Sequence, residues 1–251
     1  MEQKRGIPVI DLFAGPGGLC EGFASLVRGG TREFDIRVSI EKDPVAHRTL
    51  SLRALFRSFP IGKVPEAYYQ YIRGEISRKQ FENDPAVKPF VAKAYSEARC
   101  AELGKDDHSE IDGWIREGLA GAKDWVLIGG PPCQAYSLLG RHQENIENDP
   151  RNKLYIQYGR FLKQYNPKAF VFENVPGILS ANNGSQLGKI FESIKAEGYN
   201  VDYKVLNSKN FNVLQDRKRV IIIGSRVDID FNYPVFEEIN DSRPKRGFGE
   251  L

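Results

Sequence analysis

The feature that most constrains the fold of this chain is a series of apolar runs that each end in glycines or polar residues. These runs close on DLFAGPGG, SIEKD, GGPPCQ and FENV, with helical patterns between them. Alternating strands and helices favour a mostly parallel α/β sheet with helices on both faces. Because ligands bind outside the carboxyl ends of parallel strands, we expect the four polar clusters to converge on one rim.

The periodicity predicts strands at 7–13, 34–43, 124–130, 168–175, 199–211 and 219–229. A helix is predicted over 153–165, stopped by Asn166-Pro167, and another ends at Gly198 as its C′ glycine. Residues from about 57 to 112 are charged, aromatic and helical in pattern, and we interpret them as a helical insertion. The whole chain, 1–251, is interpreted as one domain.

The bulk composition excludes some classes of protein. The net charge of +3 permits a polyanionic partner without requiring one. Cys20, Cys100 and Cys133 form no CxxC pair, which argues against a disulfide framework, a zinc site or another metal site. Cys20 and Cys100 are expected to be buried and inert. No apolar run approaches the ~20 residues of a membrane helix, and the expected location is the cytoplasm.

The glycine turn in DLFAGPGG predicts close approach of the backbone to a ligand. Gly15, Gly17 and Gly18 follow a strand and open a helix, whose first N–H groups are free. Glu41 ends the next strand, where a carboxylate can accept hydrogen bonds from both ribose hydroxyls of an adenosine. The pair indicates a nucleoside cofactor without a pyrophosphate. The alternative is a tight strand–helix turn with no ligand.

The GGPPCQ loop poses the question of what Cys133 does. Two prolines fix the backbone after a buried strand and remove N–H groups, so this loop does not continue the sheet. An accessible thiol of low pKa at such a turn is a nucleophile. The alternative is an inert buried cysteine.

Two further motifs carry charge towards the same rim. Glu173 follows three apolar residues, and its partial burial would suit it to donate a proton. In QDRKR, the side chains of Gln215, Arg217 and Arg219 alternate and would share a face in extended backbone. Two guanidiniums there could bind phosphate or carbonyl oxygens. The alternatives are a glutamate that caps a loop and a solvated run of charges.

Taken in order, DLFAGPGG, Glu41, PPCQAYS, RNKL, ENVPGIL and QDRKR resemble the cytosine-5 DNA methyltransferase family, of the bacterial restriction-modification type. The resemblance covers most of residues 7–226. It implies a Rossmann-like S-adenosylmethionine-dependent methyltransferase fold, S-adenosyl-L-methionine as cofactor, and a cytosine flipped out of double-stranded DNA as substrate. It also implies a bacterial cytoplasm, in association with the nucleoid.

The resemblance carries catalytic roles over position by position. Cys133 would attack C6 of the cytosine as a thiolate, and Glu173 would protonate N3, so that C5 becomes nucleophilic and accepts the methyl group. Asn174 would help to fix the site. Arg219, with Arg217, would contact the cytosine carbonyl or a nearby phosphate.

The resemblance also implies two sets of binding residues. The residues implied to hold the cofactor are Phe13, Ala14, Gly15, Gly17, Gly18, Glu41, Pro131 and Leu154. The residues implied to contact DNA are Gln134, Ser137, Arg141 and Gln215.

The sequence departs from the family pattern in two ways. The acidic residue that usually follows the third strand and contacts the adenine is blurred by the insertion, and Glu110 and Asp112 are the candidates. After QDRKR, the target-recognition domain and the closing segment of family members are not found. We therefore expect the catalytic part of a split or truncated enzyme, with a second chain supplying recognition, and weak DNA binding by this chain alone.

Two other functions remain open at this point. A sister branch of the family methylates cytosine in transfer RNA, although AYS after PPCQ favours DNA. A non-catalytic regulatory subunit could keep the same fold, although the presence of Cys133, Glu173 and Arg219 favours an enzyme.

Overall fold

A computed structural model describes residues 6–131 and 154–236, apart from the side chains of 154–156, 182, 183 and 186. Within this part of the chain, seven strands form one sheet in the order β5-β4-β1-β6-β7-β9-β8. The strands of this sheet are β1 (Ile7–Leu12), β4 (Phe34–Glu41), β5 (Ala98–Cys100), β6 (Val126–Gly129), β7 (Ala169–Asn174), β8 (Tyr199–Asn207) and β9 (Lys218–Arg226). A separate two-stranded ribbon joins β2 (Val27–Arg28) to β3 (Thr31–Arg32).

Helices occupy most of the connections between the strands. They are α1 (Gly18–Ala24), α2 (Pro44–Ser58), α3 (Glu66–Ile72), α4 (Arg78–Asn83), α5 (Lys88–Glu97), α6 (His108–Leu119), α7 (Leu154–Tyr165) and α8 (Ser185–Ala196). Local signals set several of their ends. The Asp43 side chain caps α2 by accepting from the backbone N–H groups of Val45 and Ala46, both at 2.8 Å. Gly198, at φ +85°, follows α8 as its C′ residue, as predicted.

The direction of the strands places a crevice beside β1. The five strands from β5 to β7 are mutually parallel, whereas β9 runs antiparallel to both β7 and β8. The chain moves outward from β1 through β4 to β5 and then returns to the other side of β1 with β6. Such a reversal of strand order opens a crevice at the carboxyl ends of the strands, where ligands bind in sheets of this kind.

The central strands of the sheet are buried on both faces, which explains their near-continuous apolar runs. Along β1, Val9 belongs to the core cluster packed with α1, α2 and α5, whereas Ile10 belongs to the cluster packed with α6, α7 and α8. Tyr158 of α7 is buried, and its hydroxyl donates to the carbonyls of Leu127 and Val171 at 3.2 and 3.0 Å. Alternate residues of β1 thus pack against helices on both faces, as the sequence pattern predicted, whereas the edge strand β8 is largely exposed.

The predicted strands are found within a few residues of their expected bounds. The same holds for the helix predicted over 153–165 and for the helix predicted to end at Gly198. The 57–112 region holds α3, α4 and α5, in keeping with its helical pattern, but it also holds β5. This strand pairs in parallel with the end of β4, with Cys100 opposite Glu41. A strand of three residues is too short to show a periodicity of its own, which is why the sequence pattern missed it.

The described cysteines have different environments. Cys20 is buried in α1, as predicted, whereas Cys100 is exposed, and the expectation of a buried thiol was wrong there. Cys100 is the last residue of an edge strand, where only one side of the backbone is covered. In the described ranges, no helix is both long and apolar enough to span a membrane.

Candidate active site

The rim at the carboxyl ends of β1, β4, β5, β6 and β7 gathers most of the predicted site residues that the structure describes. Cys133, Gln134, Ser137 and Arg141 lie outside the described residues, and so does the side chain of Leu154. The stem that leads to Cys133 is described as far as Pro131. The rim consists of two neighbouring parts, a cavity beside β1 and a charged pair beside β7.

The glycine turn after β1 is a strained loop held by one carboxylate. Phe13, Gly15 and Gly17 all have positive φ, at 57°, 56° and 88°. Glu41 accepts from the backbone N–H of Gly15 through Oε2 at 2.8 Å and from that of Asp43 through Oε1 at 2.7 Å. A Cβ on Gly17 would lie 2.9 Å from Leu50, so the turn has no room for a larger residue. Glu41 therefore joins the ends of β1 and β4 into one unit.

A cavity of about 250 Å³ opens beside this turn. Phe13, Gly15 and Glu41 line it, and the family resemblance implies that these three residues hold the cofactor. Ala14, Gly17 and Gly18 instead shape the turn behind it, since the Ala14 N–H donates to the carbonyl of Ile40 at 3.0 Å and Gly18 begins α1. The sequence reasoning missed six further lining residues, which are Ile40, Lys42, Ala101, Glu102, Leu103 and Gly130.

Glu102 is the carboxylate that follows β5 at this cavity. Lys105 and Lys42 approach it at 3.1 and 3.2 Å and hold the pKa of its carboxyl below the ordinary value. Neither of the candidates from the sequence lines the cavity, because Glu110 and Asp112 belong to α6. Asp112 is buried and bonded to Arg160 at 3.2 Å. The signal that could have revealed Glu102 was β5, hidden within the helical pattern.

The stem consists of residues 129–131 and leads from the end of β6 towards the segment with Cys133. It passes closely between the end of β1 and Glu173 of β7. A Cβ on Gly129 would lie 2.5 Å from the carbonyl oxygen of Leu12, and one on Gly130 would lie 3.0 Å from Oε2 of Glu173. The buried Asn174 donates through Nδ2 to the carbonyl of Pro131 at 3.0 Å. The two glycines and this bond fix the position at which the chain leaves the sheet.

The charged pair consists of Glu173 at the end of β7 and Arg219 in β9. Arg219 Nε lies 2.6 Å from Glu173 Oε1, and the two side chains are 22% and 27% exposed. The antiparallel register of β9 brings them together, since Glu173 is opposite Ile221. Arg217 and Gln215 are not part of this contact, because both lie in the exposed turn before β9.

A buried carboxyl lies beneath the glycine turn and was not foreseen. Asp11 of β1 is 1% exposed, and neither of its oxygens has a hydrogen-bond partner among the described residues. Burial raises the pKa of Asp11 to about 7. The neighbouring Cys20 thiol, whose pKa burial raises to about 12, donates to the carbonyl of Gly17 at 3.3 Å. The turn therefore rests on a layer of buried polar groups.

The fold and the site together define a class of protein. The reversed strand order, the glycine turn and the carboxylate that ends β4 together describe a Rossmann-like methyltransferase fold with a cavity at its crevice. The family model of the C-5 cytosine-specific DNA methylases matches residues 79–247. The chain belongs to this family.

Individual relatives support the same assignment. The chain is 34% identical over 258 residues to the type II methyltransferase M.Bpa9945I of Bacillus paralicheniformis, an alignment that covers 91% of this chain and 56% of that protein. It is 40% identical over 153 residues to the type II methyltransferase M.FnuDI of Fusobacterium nucleatum, covering 59% of this chain and 42% of that one. The chain thus spans about half the length of these relatives.

A solved structure supports the fold. The structure of the methyltransferase EhMeth of Entamoeba histolytica superposes with a TM-score of 0.55 at 18% identity, covering 94% of this chain and 57% of that one. At this identity the likeness supports the fold alone, and it agrees with the Rossmann-like methyltransferase fold predicted from the sequence.

Proposed function

We propose that this chain transfers a methyl group from S-adenosyl-L-methionine to C5 of cytosine in double-stranded DNA. The observation that carries the proposal is the position of the cavity beside β1 and of the Glu173–Arg219 pair on either side of the Gly129–Gly130 stem. The described stem ends at Pro131, two positions before Cys133 in the sequence. Family membership supports the same reaction.

The lining of the cavity fits S-adenosyl-L-methionine. Phe13, Ile40 and Leu103 give apolar walls suited to an adenine ring, and the Glu41 and Glu102 carboxylates can accept hydroxyl and amino protons. Both Glu41 oxygens already accept a backbone N–H, but each keeps a second lone pair for a ribose hydroxyl. When bound there, the cofactor would supply an electrophilic methyl group.

The residues of the chain would prepare the cytosine to accept that methyl group. The Cys133 thiolate would form a bond from Sγ to C6, and the electron pair displaced from the C5–C6 double bond would move into the ring. Glu173 would give a proton to N3, while the Arg219 guanidinium would donate to the ring carbonyl, so that the added charge is neutralised. C5 would then form the new carbon–carbon bond to the methyl group, whose bond to sulfur would break. Removal of the C5 proton by a base would expel the Cys133 thiolate, and return of the N3 proton to Glu173 would restore the ring.

Trapping of the covalent adduct tests this proposal. In 5-fluorocytosine DNA, fluorine replaces the C5 proton, so the final elimination fails and the enzyme stays attached to the DNA. We expect an adduct that survives denaturation with the full chain and cofactor, and none with Cys133→Ser. Cys100→Ser, which removes an exposed thiol elsewhere, is the matched control. Absence of an adduct with the unmodified chain would contradict the proposal.

The substrate and the partner need experiments of their own. Labelled methyl transfer into duplex DNA should exceed transfer into transfer RNA, and the reverse result would assign the sister branch. Addition of a chain that carries a recognition domain should raise the rate and confer sequence preference, if a second chain supplies recognition. A normal, sequence-selective rate with this chain alone would contradict the split arrangement. Association with the nucleoid belongs to the same proposal.

A further inference from the structure

The turn between β8 and β9 carries an apolar tip to which the chemistry above gives no role. Leu214 is 94% exposed and its neighbour Val213 is 48% exposed. Burial of an aliphatic side chain is favourable, so two adjacent exposed aliphatic side chains would be stabilised by contact with a partner. Single exposed apolar residues are common, and the surroundings of this tip decide what it does.

Hydrogen bonds and an ion pair hold the base of the turn that carries the tip. The Ser208 N–H donates to the carbonyl of Arg217 at 3.0 Å and closes the base of the turn. Asp216 accepts from Asn207 Nδ2 at 2.8 Å and pairs with Lys209 at 3.1 Å. These bonds constrain the backbone of the turn on both sides of Leu214. Little conformational entropy of the turn is therefore lost when the leucine binds a partner.

The tip stands at the rim that holds the proposed catalytic pair. β9 begins at Lys218, beside the carboxyl end of β7, where Asn174 is opposite Val220. Arg219, five positions after Leu214, contacts Glu173. A substrate bound at Glu173 would therefore extend over this turn.

The charges beside the tip indicate the kind of partner. Arg217 and Lys218 are exposed, and neither forms an ion pair with any residue in the described ranges. A projecting leucine flanked by two available cations matches a nucleic-acid duplex, in which phosphates surround a groove and apolar side chains can enter between base steps. A protein partner would meet the same cations with carboxylates, but nothing in the described structure favours that arrangement.

We infer that the 212–218 turn is a DNA-contacting element whose Leu214 side chain enters the duplex beside the extruded cytosine. Arg217 and Lys218 would hold the flanking phosphates. Unstacking a base is unfavourable, and an apolar side chain in the vacated space opposes the return of the base. This inference rests on the proposed function, because it requires an extruded cytosine.

Adduct formation on two duplex pools tests the inference. Both pools are short random-sequence duplexes with 5-fluorocytosine in one strand, and the opposite strand carries either guanine or hypoxanthine. Hypoxanthine pairs more weakly with cytosine, so extrusion needs less help. We expect Leu214→Ala to slow adduct formation by about fivefold on the guanine pool and by less than about twofold on the hypoxanthine pool. Leu214→Met should resemble the unmodified chain.

The controls separate the possible failures. Val227 is 64% exposed and follows the C-terminal end of β9, at the opposite end of the strand from Leu214. Val227→Ala also truncates an exposed aliphatic side chain to alanine and should leave both rates unchanged. Binding of S-adenosylhomocysteine should be unaffected by Leu214→Ala. Equal rates for Leu214→Ala and the unmodified chain on the guanine pool would overturn the inference and leave the proposed function intact. No adduct with the unmodified chain on either pool would overturn both.

Discussion

At the scale of single residues, the Glu173 carboxylate is oriented by its ion pair with Arg219, which contacts Oε1. Its other oxygen, Oε2, faces Gly130, where an added Cβ would lie 3.0 Å away. A base that enters the rim would meet this carboxyl already oriented. Preorganised groups of this kind act without reorganisation at the moment of reaction, which is where most of their catalytic effect arises.

Glu173→Gln should therefore lower the rate of methyl transfer by about a hundredfold or more, because the amide cannot give up a proton to N3. S-adenosylhomocysteine affinity, measured by calorimetry, should change little, because Glu173 does not line the cavity beside β1. Glu192→Gln, an exposed position on α8, is the control and should keep the full rate. A Glu173→Gln variant with near-normal rate would remove Glu173 from the chemistry.

Asp11 gives a prediction about pH. Its pKa is raised from 3.8 to about 7 in the folded chain, so the folded state binds a proton that the unfolded state has lost. The contribution of this group to stability is therefore complete below about pH 4 and is lost as the pH rises through 7, by up to about 1.4 kcal/mol per pH unit.

Asp11→Asn should remove that loss. Urea unfolding of the variant between pH 4 and 7 should show a smaller decline in the free energy of unfolding than the unmodified chain. Asp230→Asn, an exposed aspartate, should leave the decline as it is. Parallel pH profiles for all three proteins would mean that Asp11 stays ionised in the folded state.

At the scale of elements, Gly129 and Gly130 of the stem are neighbours, but they should respond differently to substitution by alanine. Gly129→Ala drives a methyl group against the backbone of β1, which cannot move aside, and should destabilise the fold by about 1–3 kcal/mol. Gly130→Ala drives it against a side chain, Glu173, which can turn away. This variant should keep most of its stability and lose activity.

Thermal unfolding and methyl transfer, measured together, check this pair. Gly159→Ala in α7 is the control, since a Cβ there meets open space, and it should stabilise the chain by about 0.5–1 kcal/mol. If Gly130→Ala were as unstable as Gly129→Ala, the stem would be a packing element alone.

At the scale of the whole molecule, Glu41 couples the ends of β1 and β4, which build the cavity proposed to hold the cofactor. Ligand bound only to the folded state adds about 2.7 kcal/mol of stability at a hundred times its dissociation constant. S-adenosylhomocysteine should therefore raise the melting temperature of the chain. Glu41→Gln should lower the affinity by about tenfold, because the amide nitrogen repels the N–H donors that the carboxylate accepts.

The control for Glu41 is Glu33→Gln, which changes an equally charged residue just before β4 that does not line the cavity. Its melting shift with S-adenosylhomocysteine should equal that of the unmodified chain. A full shift with Glu41→Gln would show that the cavity does not hold the ligand through this carboxylate.

Much of the fold followed from sequence because its central strands are buried on both faces and end in distinctive clusters. Glu41, Phe13 and Gly15 were found because a strand end and a glycine turn are local signals. Glu102 was missed because β5 is too short to have a period, and Asp11 because a single polar letter within a strand does not show its burial. The Glu173–Arg219 contact depended on an antiparallel register, which no local pattern specifies.

The fixed stem has a consequence for protein engineering. Asn174 anchors the carbonyl of Pro131, and α7, which begins at Leu154, packs into the core through Tyr158, Phe161 and Leu162. The segment between these points is thus attached at both ends to rigid scaffold. Segments of the same length from relatives could be grafted between the two anchors, and differences in their reactivity could then be compared on one unchanged sheet.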